Sequence, residues 1–300
     1  MSAQIYFEEY GGPTVLRHGD QQLPEPGPGQ VRLVNRAIAV NPVDWKIIAG
    51  YMRDFRPLTF PAVPGTESAG VVAAVGPDVE GVAVGDEVIW TGFMGGYRAE
   101  AIVEAAELLA KPASIDFEQA ASLPAAAGTA YSAVHQIGVA AGDTVLVHGA
   151  AGGVGSAAVQ IARGLGARVI GTASPGNHEY LASIGAEPVA YGDGLVEAVR
   201  ALGTVTAVFD SVGGAGSTAA TQALLPDLSR AVTAVSDEHA TAAGIAAVVA
   251  HPDRYPAVVA LAEQGIIRFS IQDRIPLAEA VKALELSQAG HVRGKLILIP

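Results

Sequence analysis

Cysteine is absent from the 300 residues. That absence alone excludes disulfides, thiolate nucleophiles and cysteine-ligated zinc. Positive charge is also scarce: 18 Lys and Arg stand against 30 Asp and Glu, a net charge of −12. Nucleic-acid backbones need clustered cations, so the charge argues against non-specific nucleic-acid binding. Any phosphate site has to be local, made of backbone N–H groups and a few side chains. Long apolar runs are missing. The longest nearly apolar stretch, Ala240–Ala250, is too short and too Ala-rich to span a bilayer. Met1–Tyr10 carries Glu8 and Glu9 and no apolar signal core, so no secretion signal is expected. The lack of cysteine is compatible with the cytoplasm, which is the expected location. What is present is a chain 50% hydrophobic and only 16% charged, long enough for two domains with a large core.

Short strands broken by Gly and Pro fill residues 1–110. Val31–Ala37 alternates after the turn Pro26-Gly27-Pro28-Gly29; Gly70–Val75 and Glu87–Trp90 are further strands. The pattern changes near residue 115. Phe117–Ala127 and Gly128–Ile137 read as helices. Strand and helix candidates then alternate: Thr144–His148, Gly153–Gly164, Arg168–Gly171, His178–Ile184, Val189–Ala190, Val196–Leu202 and Ala207–Phe209. Such alternation predicts an α/β domain with a parallel, doubly wound sheet. Helices Arg254–Gln264 and Leu277–Ala289, a strand Arg268–Ile271 between them, and a last strand Lys295–Ile299 end the chain.

The strand Thr144–His148 runs into Gly149-Ala150-Ala151-Gly152-Gly153-Val154-Gly155 and then into a helix with Val154, Ala158, Ile161 and Leu165 on one face. Glycines at such a turn let the backbone approach a pyrophosphate, and the helix N-terminus offers free N–H groups and a positive dipole end. The fingerprint is G-x-G-x-x-G, with Ala150 in its first position and Gly152 and Gly155 in the others. Ala150, Gly152, Gly153, Val154 and Gly155 are therefore candidate dinucleotide contacts. A loop that selects NAD carries Asp or Glu about 20 residues on. Here the second strand ends Ile170-Gly171-Thr172-Ala173-Ser174, and the nearest carboxylate is Glu179. Ser174, Asn177 and His178 can hydrogen-bond a 2′-phosphate, which favours NADPH, although no Arg or Lys stands beside them. The alternative is that Ser174 and Asn177 cap the next helix.

Together these motifs give the chain a family likeness. Ala39-Val40-Asn41-Pro42-Val43-Asp44-Trp45-Lys46, Pro64-Gly65-Thr66-Glu67-Ser68-Ala69-Gly70-Val71-Val72, Val84-Gly85-Asp86-Glu87-Val88, Leu123-Pro124-Ala125-Ala126-Ala127-Gly128-Thr129-Ala130, the glycine loop and Arg293-Gly294-Lys295 occur in order over nearly the whole chain. It resembles the zinc-free quinone oxidoreductase (zeta-crystallin-like) branch of the medium-chain dehydrogenase/reductases. The resemblance implies a discontinuous GroES-like, β-rich catalytic domain at 1–119 and 249–300 and a Rossmann domain at 120–248. Zinc-using relatives carry a Gly-His-Glu motif and a cysteine-rich lobe. Here the motif reads Gly65-Thr66-Glu67, and no metal site is expected.

The resemblance also implies site residues, each with a plainer alternative. Asn41 lies in relatives near the nicotinamide ribose and the substrate; otherwise it makes an Asx-turn before Pro42. Asp44 and Glu67 are expected to order the fold. Tyr51, after Gly50, is a candidate catalytic phenol, one residue away from the usual spacing. Thr129 contacts the nicotinamide end or caps a helix. Tyr191 lies near the adenosine phosphate or stacks on the core. Val212, in Asp210-Ser211-Val212-Gly213-Gly214 at a strand end, is a possible nicotinamide wall. Arg293 and Lys295 reach the cofactor or form salt bridges. Where relatives have a Gly-Gly-Arg turn, this chain reads Pro226-Asp227-Leu228-Ser229-Arg230. The expected function is NADPH-dependent, zinc-independent hydride transfer to a quinone, enone or enal by a homodimer. The alternatives are a reductase or cyclase confined to one biosynthetic intermediate, and a non-catalytic NADPH-binding protein.

Overall fold

The computed structural model describes all residues, Met1–Pro300. It divides into two compact units, Met1–Ala125 with Ser270–Pro300, and Ala126–Phe269. The sequence reading places the junctions at 119/120 and 248/249, and helix packing accounts for the difference. Helix Phe117–Ala121 packs on strands Gln30–Val40 and Glu67–Val75 of the first unit, while helix Arg254–Glu263 packs on helix Gly128–Gln136 of the second.

The first unit is built on a seven-stranded sheet. Its order is Ile271–Pro276, Lys295–Ile299, Gln30–Val40, Glu67–Val75, Glu87–Thr91 and Leu108–Ala110, with Glu100–Glu104 also paired to Gln30–Val40. A separate hairpin joins Ser2–Tyr6 to Arg17–Gln21. Burial along Gln30–Val40 alternates at first and then becomes continuous from Ala37 to Val40. The continuous part is why this strand outruns the alternating stretch Val31–Ala37. The final strand lies antiparallel against it, with Leu296 opposite Val40. Ile5, Phe7, Ile38, Ile48, Leu284 and Leu298 belong to one apolar core; Leu33, Val72, Val88 and Trp90 belong to another.

Three local expectations change. Asn41-Pro42-Val43-Asp44 is not a bare turn but the start of helix Pro42–Ile48, since Pro suits the first helical position and Asp44 Oδ2 accepts the Asn41 N–H at 2.8 Å. The strand expected at Arg268–Ile271 instead spans Ile271–Pro276, where the parallel partner Lys295–Ile299 is available. Leu165 leaves the buried helix face and is exposed at the helix C-cap.

The second unit holds six parallel strands in the order Glu187–Ala190, Arg168–Ala173, Thr144–His148, Ala207–Asp210, Ala231–Thr233 and Ala246–Ala247. The chain leaves Thr144–His148 toward one side, then crosses back to add Ala207–Asp210 on the other. That reversal opens a crevice at the carboxyl ends of these two strands, where doubly wound sheets bind ligands.

Candidate functional site: a glycine turn and a buried polar cluster

The glycine turn occupies the crevice. Gly149 adopts φ +71°, and a Cβ there would strike Val212 Cγ1 and lie 2.8 Å from Ser211 Oγ. Only glycine allows that approach. The turn is pinned to the neighbouring strand: Gly149 N–H donates to Thr172 Oγ1 at 3.1 Å, and Ala150 N–H to the Thr172 carbonyl at 3.0 Å. A Cβ on Gly155 would collide with the Gly149 carbonyl oxygen and sit 2.8 Å from Ala150 Cα, so this glycine lets helix Gly153–Gly164 pack on the turn. Gly152 differs. Its φ of −73° suits any residue, and a Cβ would meet only the Gly149 oxygen, at 3.5 Å. The first helical hydrogen bond is Ser156 N–H to the Gly152 carbonyl, 2.8 Å. The N–H groups of Gly153, Val154 and Gly155 therefore precede the helical ladder; Gly153 and Val154 are partly exposed and Gly155 is buried beneath them. The residues fit a dinucleotide pyrophosphate: donors converge at a helix start, with open space at Gly152.

Asn177 Nδ2 donates to Ser174 Oγ at 3.2 Å, joining two of the three candidate phosphate ligands at the end of Arg168–Ala173. Neither side chain makes a helix-cap bond. His178 opens the following helix, and its Nε2 is buried without a partner. Tyr191 is 55% exposed and so does not stack on the core. Val212, equally exposed, lies against Gly149. Its turn is shaped by buried Asp210, whose Oδ1 accepts the Val212 and Gly213 N–H groups at 2.9 Å and whose Oδ2 accepts the Ser217 hydroxyl. Thr129 does not cap a helix: Gly128–Gln136 continues directly from a π turn at Leu123–Ala127, which places Thr129 inside a longer helical segment. In the stretch Pro226–Arg230, Arg230 serves as an anchor. Its guanidinium bonds both carboxylate oxygens of Asp143, at 2.8 and 2.9 Å, and the carbonyls of Ile137 and Gly138. Those bonds hold the Asp143 carboxyl well below the ordinary carboxylate range.

In the first unit, Asn41, Asp44, Glu67, Tyr97 and Lys295 are all buried and lie together. Lys295 Nζ donates to Asn41 Oδ1 at 2.7 Å and to Glu67 Oε1 at 3.0 Å. Asn41 Nδ2 donates to the same Glu67 oxygen at 2.8 Å, and Glu67 Oε2 accepts the Ala125 N–H at 2.6 Å. Glu67 and Lys295 thus form a buried ion pair, the salt-bridge alternative for Lys295. The Asn41 carboxamide is engaged by Lys295 and Glu67, and its Nδ2 also lies 3.5 Å from Thr66 Oγ1. Asp44 Oδ2 accepts the Tyr97 hydroxyl at 3.0 Å as well as the Asn41 N–H, and Oδ1 lies 3.5 Å from Thr66 Oγ1. Burial raises the Asp44 carboxyl from 3.8 to about 7; Glu67 adds to the rise, and its hydrogen bonds and Lys295 oppose it. Burial, then the Asp44 charge, pushes the Tyr97 phenol up. Tyr51 stands apart, 68% exposed, its ring edge-on to Trp45 at 5.8 Å. Tyr97 carried no sequence signal. Thr66, Glu67 and Lys295 did, in the Gly65-Thr66-Glu67 and Arg293-Gly294-Lys295 stretches.

Comparison with known proteins gives these features a family. Residues 27–113 match the alcohol dehydrogenase GroES-like domain, and residues 153–263 match the zinc-binding dehydrogenase model. A quinone oxidoreductase of Pseudomonas aeruginosa is 34% identical over the full length of both chains. The chain belongs to the medium-chain dehydrogenase/reductases, in the quinone oxidoreductase branch. Solved structures of this superfamily follow the same course. A quinone oxidoreductase of Escherichia coli complexed with NADPH is 26% identical with a TM-score of 0.83, covering 99% of this chain and 100% of that one. An NAD-dependent alcohol dehydrogenase is 29% identical with a TM-score of 0.89, covering 100% of both. The protein is thus an oxidoreductase. A zinc centre, which one family-model name implies, does not fit the residues present: there is no thiolate, and no three His, Asp or Glu side chains converge as ligands. No helix is long and apolar enough to cross a membrane.

Proposed function

We propose that the protein takes NADPH as its hydride source and reduces a quinone or an activated C=C bond in an enone or enal. The glycine turn carries this reading, because three helix-start N–H groups and the open space at Gly152 suit a pyrophosphate without help from cations. When bound, the reduced nicotinamide supplies the hydride. Gly153, Val154 and Gly155 hold the pyrophosphate, with Ala150 and Gly152 giving it room. Ser174, Asn177 and His178 stand where NAD-selecting loops place a carboxylate, and neutral donors there favour a 2′-phosphate. Tyr191 extends that contact to the adenosine side. Val212 and Thr129 border the nicotinamide end. The exposed Tyr51 phenol donates a hydrogen bond to the acceptor oxygen as charge grows on it. Asn41 positions rather than reacts, since Lys295 and Glu67 fix both ends of its carboxamide. The resemblance further supports a homodimer in the cytoplasm.

A panel of quinones, enones and enals assayed by NADPH oxidation tests the reading. Turnover is expected with at least one class, and with NADPH in preference to NADH. No turnover above background with any acceptor overturns it. Saturable NADPH binding without turnover would instead favour a reductase confined to one biosynthetic intermediate or a non-catalytic binder. For the turn itself, Gly152→Val is expected to keep the fold and weaken NADPH by on the order of tenfold or more, about 1.4 kcal/mol.

A further inference from the structure

The buried cluster of the first unit holds two carboxyl groups and one ammonium. Lys295 bonds Glu67 and Asn41 and makes no bond to Asp44. Asp44, with no exposed surface, therefore lacks a cation of its own. The groups facing it are the Asn41 N–H, the Tyr97 hydroxyl, the Thr66 hydroxyl and, through space, Glu67 and Lys295. Two of these donors serve Oδ2. Oδ1 has only Thr66 beside it. A buried carboxyl in this setting exchanges its proton near neutral pH, as its rise to about 7 reflects. Thr66 is partly exposed, whereas Asn41, Asp44, Glu67, Tyr97 and Lys295 are buried. Its hydroxyl both donates and accepts. When Asp44 is protonated, Oδ1–H donates to Thr66 and the threonine proton is free to point outward. When Asp44 is ionised, Thr66 donates inward and turns a lone pair outward.

We propose that Asp44 is the proton reservoir of the reduction and that the Thr66 hydroxyl passes its proton to the reduced acceptor. This rests on the reductase reading above. The anion formed when hydride adds to a quinone or enone takes the proton of Thr66 Oγ. Thr66 takes the Asp44 proton in the same relay, and the Asp44 carboxylate recovers one from water. Acceptor, one hydride and one proton thus give the neutral two-electron-reduced product. Asp44 acts through Thr66 and keeps Tyr97 and Asn41 in place in both states.

Two measurements test the relay, one of them without turnover. With saturating NADPH and a quinone acceptor, Asp44→Asn keeps a hydrogen-bonding group but cannot carry the proton. It is expected to lower kcat by on the order of 100-fold, the usual weight of proton transfer, and to abolish the ionisation near pH 7 in the kcat profile. Thr66→Val should do the same and Thr66→Ser should restore the rate, which settles the matter if the Asp44 variant fails to fold. Unchanged kcat and pH profile in Thr66→Val overturn the proposal. Independently, infrared spectroscopy of the wild-type protein should show a protonated carboxyl band that titrates near pH 7 and whose hydrogen–deuterium exchange slows in Thr66→Val. Equal exchange in both proteins overturns the relay even where no acceptor is turned over; normal slowing with no turnover faults the reductase reading alone.

Discussion

Around Gly149–Gly155 the chain offers polarity without charge, while around Asp44, Glu67 and Lys295 it buries charge without offering it to solvent. The turn uses backbone N–H groups from neighbouring residues, and Gly149 and Gly155 are required by what a Cβ would strike. The cluster uses side chains from positions up to 254 residues apart, and each is chosen by what it neutralises or donates. The turn can meet an anion because its donors are left unsatisfied. The cluster is stable because nearly all of its donors and acceptors are satisfied internally. One consequence follows for a chain of net charge −12. Under the proposed function a phosphate is met with dipoles, while the buried lysine answers a carboxylate of the chain's own.

The contrast breaks most sharply at Lys295. Lys295→Met leaves Glu67 buried and unpaired and is expected to cost about 3–5 kcal/mol in urea unfolding, with part recovered in Lys295→Met/Glu67→Gln. Asp44 gives the next effect, on the order of a few kcal/mol. The native carboxyl holds its proton up to about pH 7, whereas the unfolded one releases it near 3.8. Unfolding therefore releases a proton in that window, and stability should fall as pH rises from 3.8 to about 7. The same pH series on Asp44→Asn should lose that slope.

Within the second unit, Gly155→Ala sets a Cβ against backbone and should cost about 1–3 kcal/mol in thermal or urea unfolding. Arg230→Ala is expected to cost about 1–2 kcal/mol by losing charge-assisted bonds to Asp143. Because Asp143 is held low in the folded chain, that contribution is present above 3.8 and fades as pH falls below it. Gly152→Val is the smallest stability effect, below about 1 kcal/mol, yet it should weaken NADPH more than any other variant named here. A Gly152 variant that unfolds the protein while Gly155→Ala does not would reverse the roles assigned to the two glycines.

Legibility in the sequence divides along the same line. Thr144–His148, the glycine turn and Gly153–Gly164 are consecutive, so hydrophobic period and glycine spacing expose them directly. The missing carboxylate after Arg168–Ala173 is likewise a local fact. Gly128-Thr129 reads as a helix start in the sequence, and only the π turn Leu123–Ala127 joins the two helical segments. Tyr97 lies in an irregular stretch with no period at all, and its partner Asp44 is 53 residues away.

By itself the sequence determined the absence of cysteine chemistry, the strand–helix alternation of the second unit and the phosphate-suited turn, because each depends on residues adjacent in the chain. Only the tertiary structure decided what Asn41, Asp44, Glu67 and Lys295 do. Pairing of Lys295–Ile299 with Gln30–Val40 brings the ammonium to Asn41 and Glu67 but not to Asp44. The protonation of a carboxyl depends on burial and on the nearest charge, and neither quantity exists until distant segments meet.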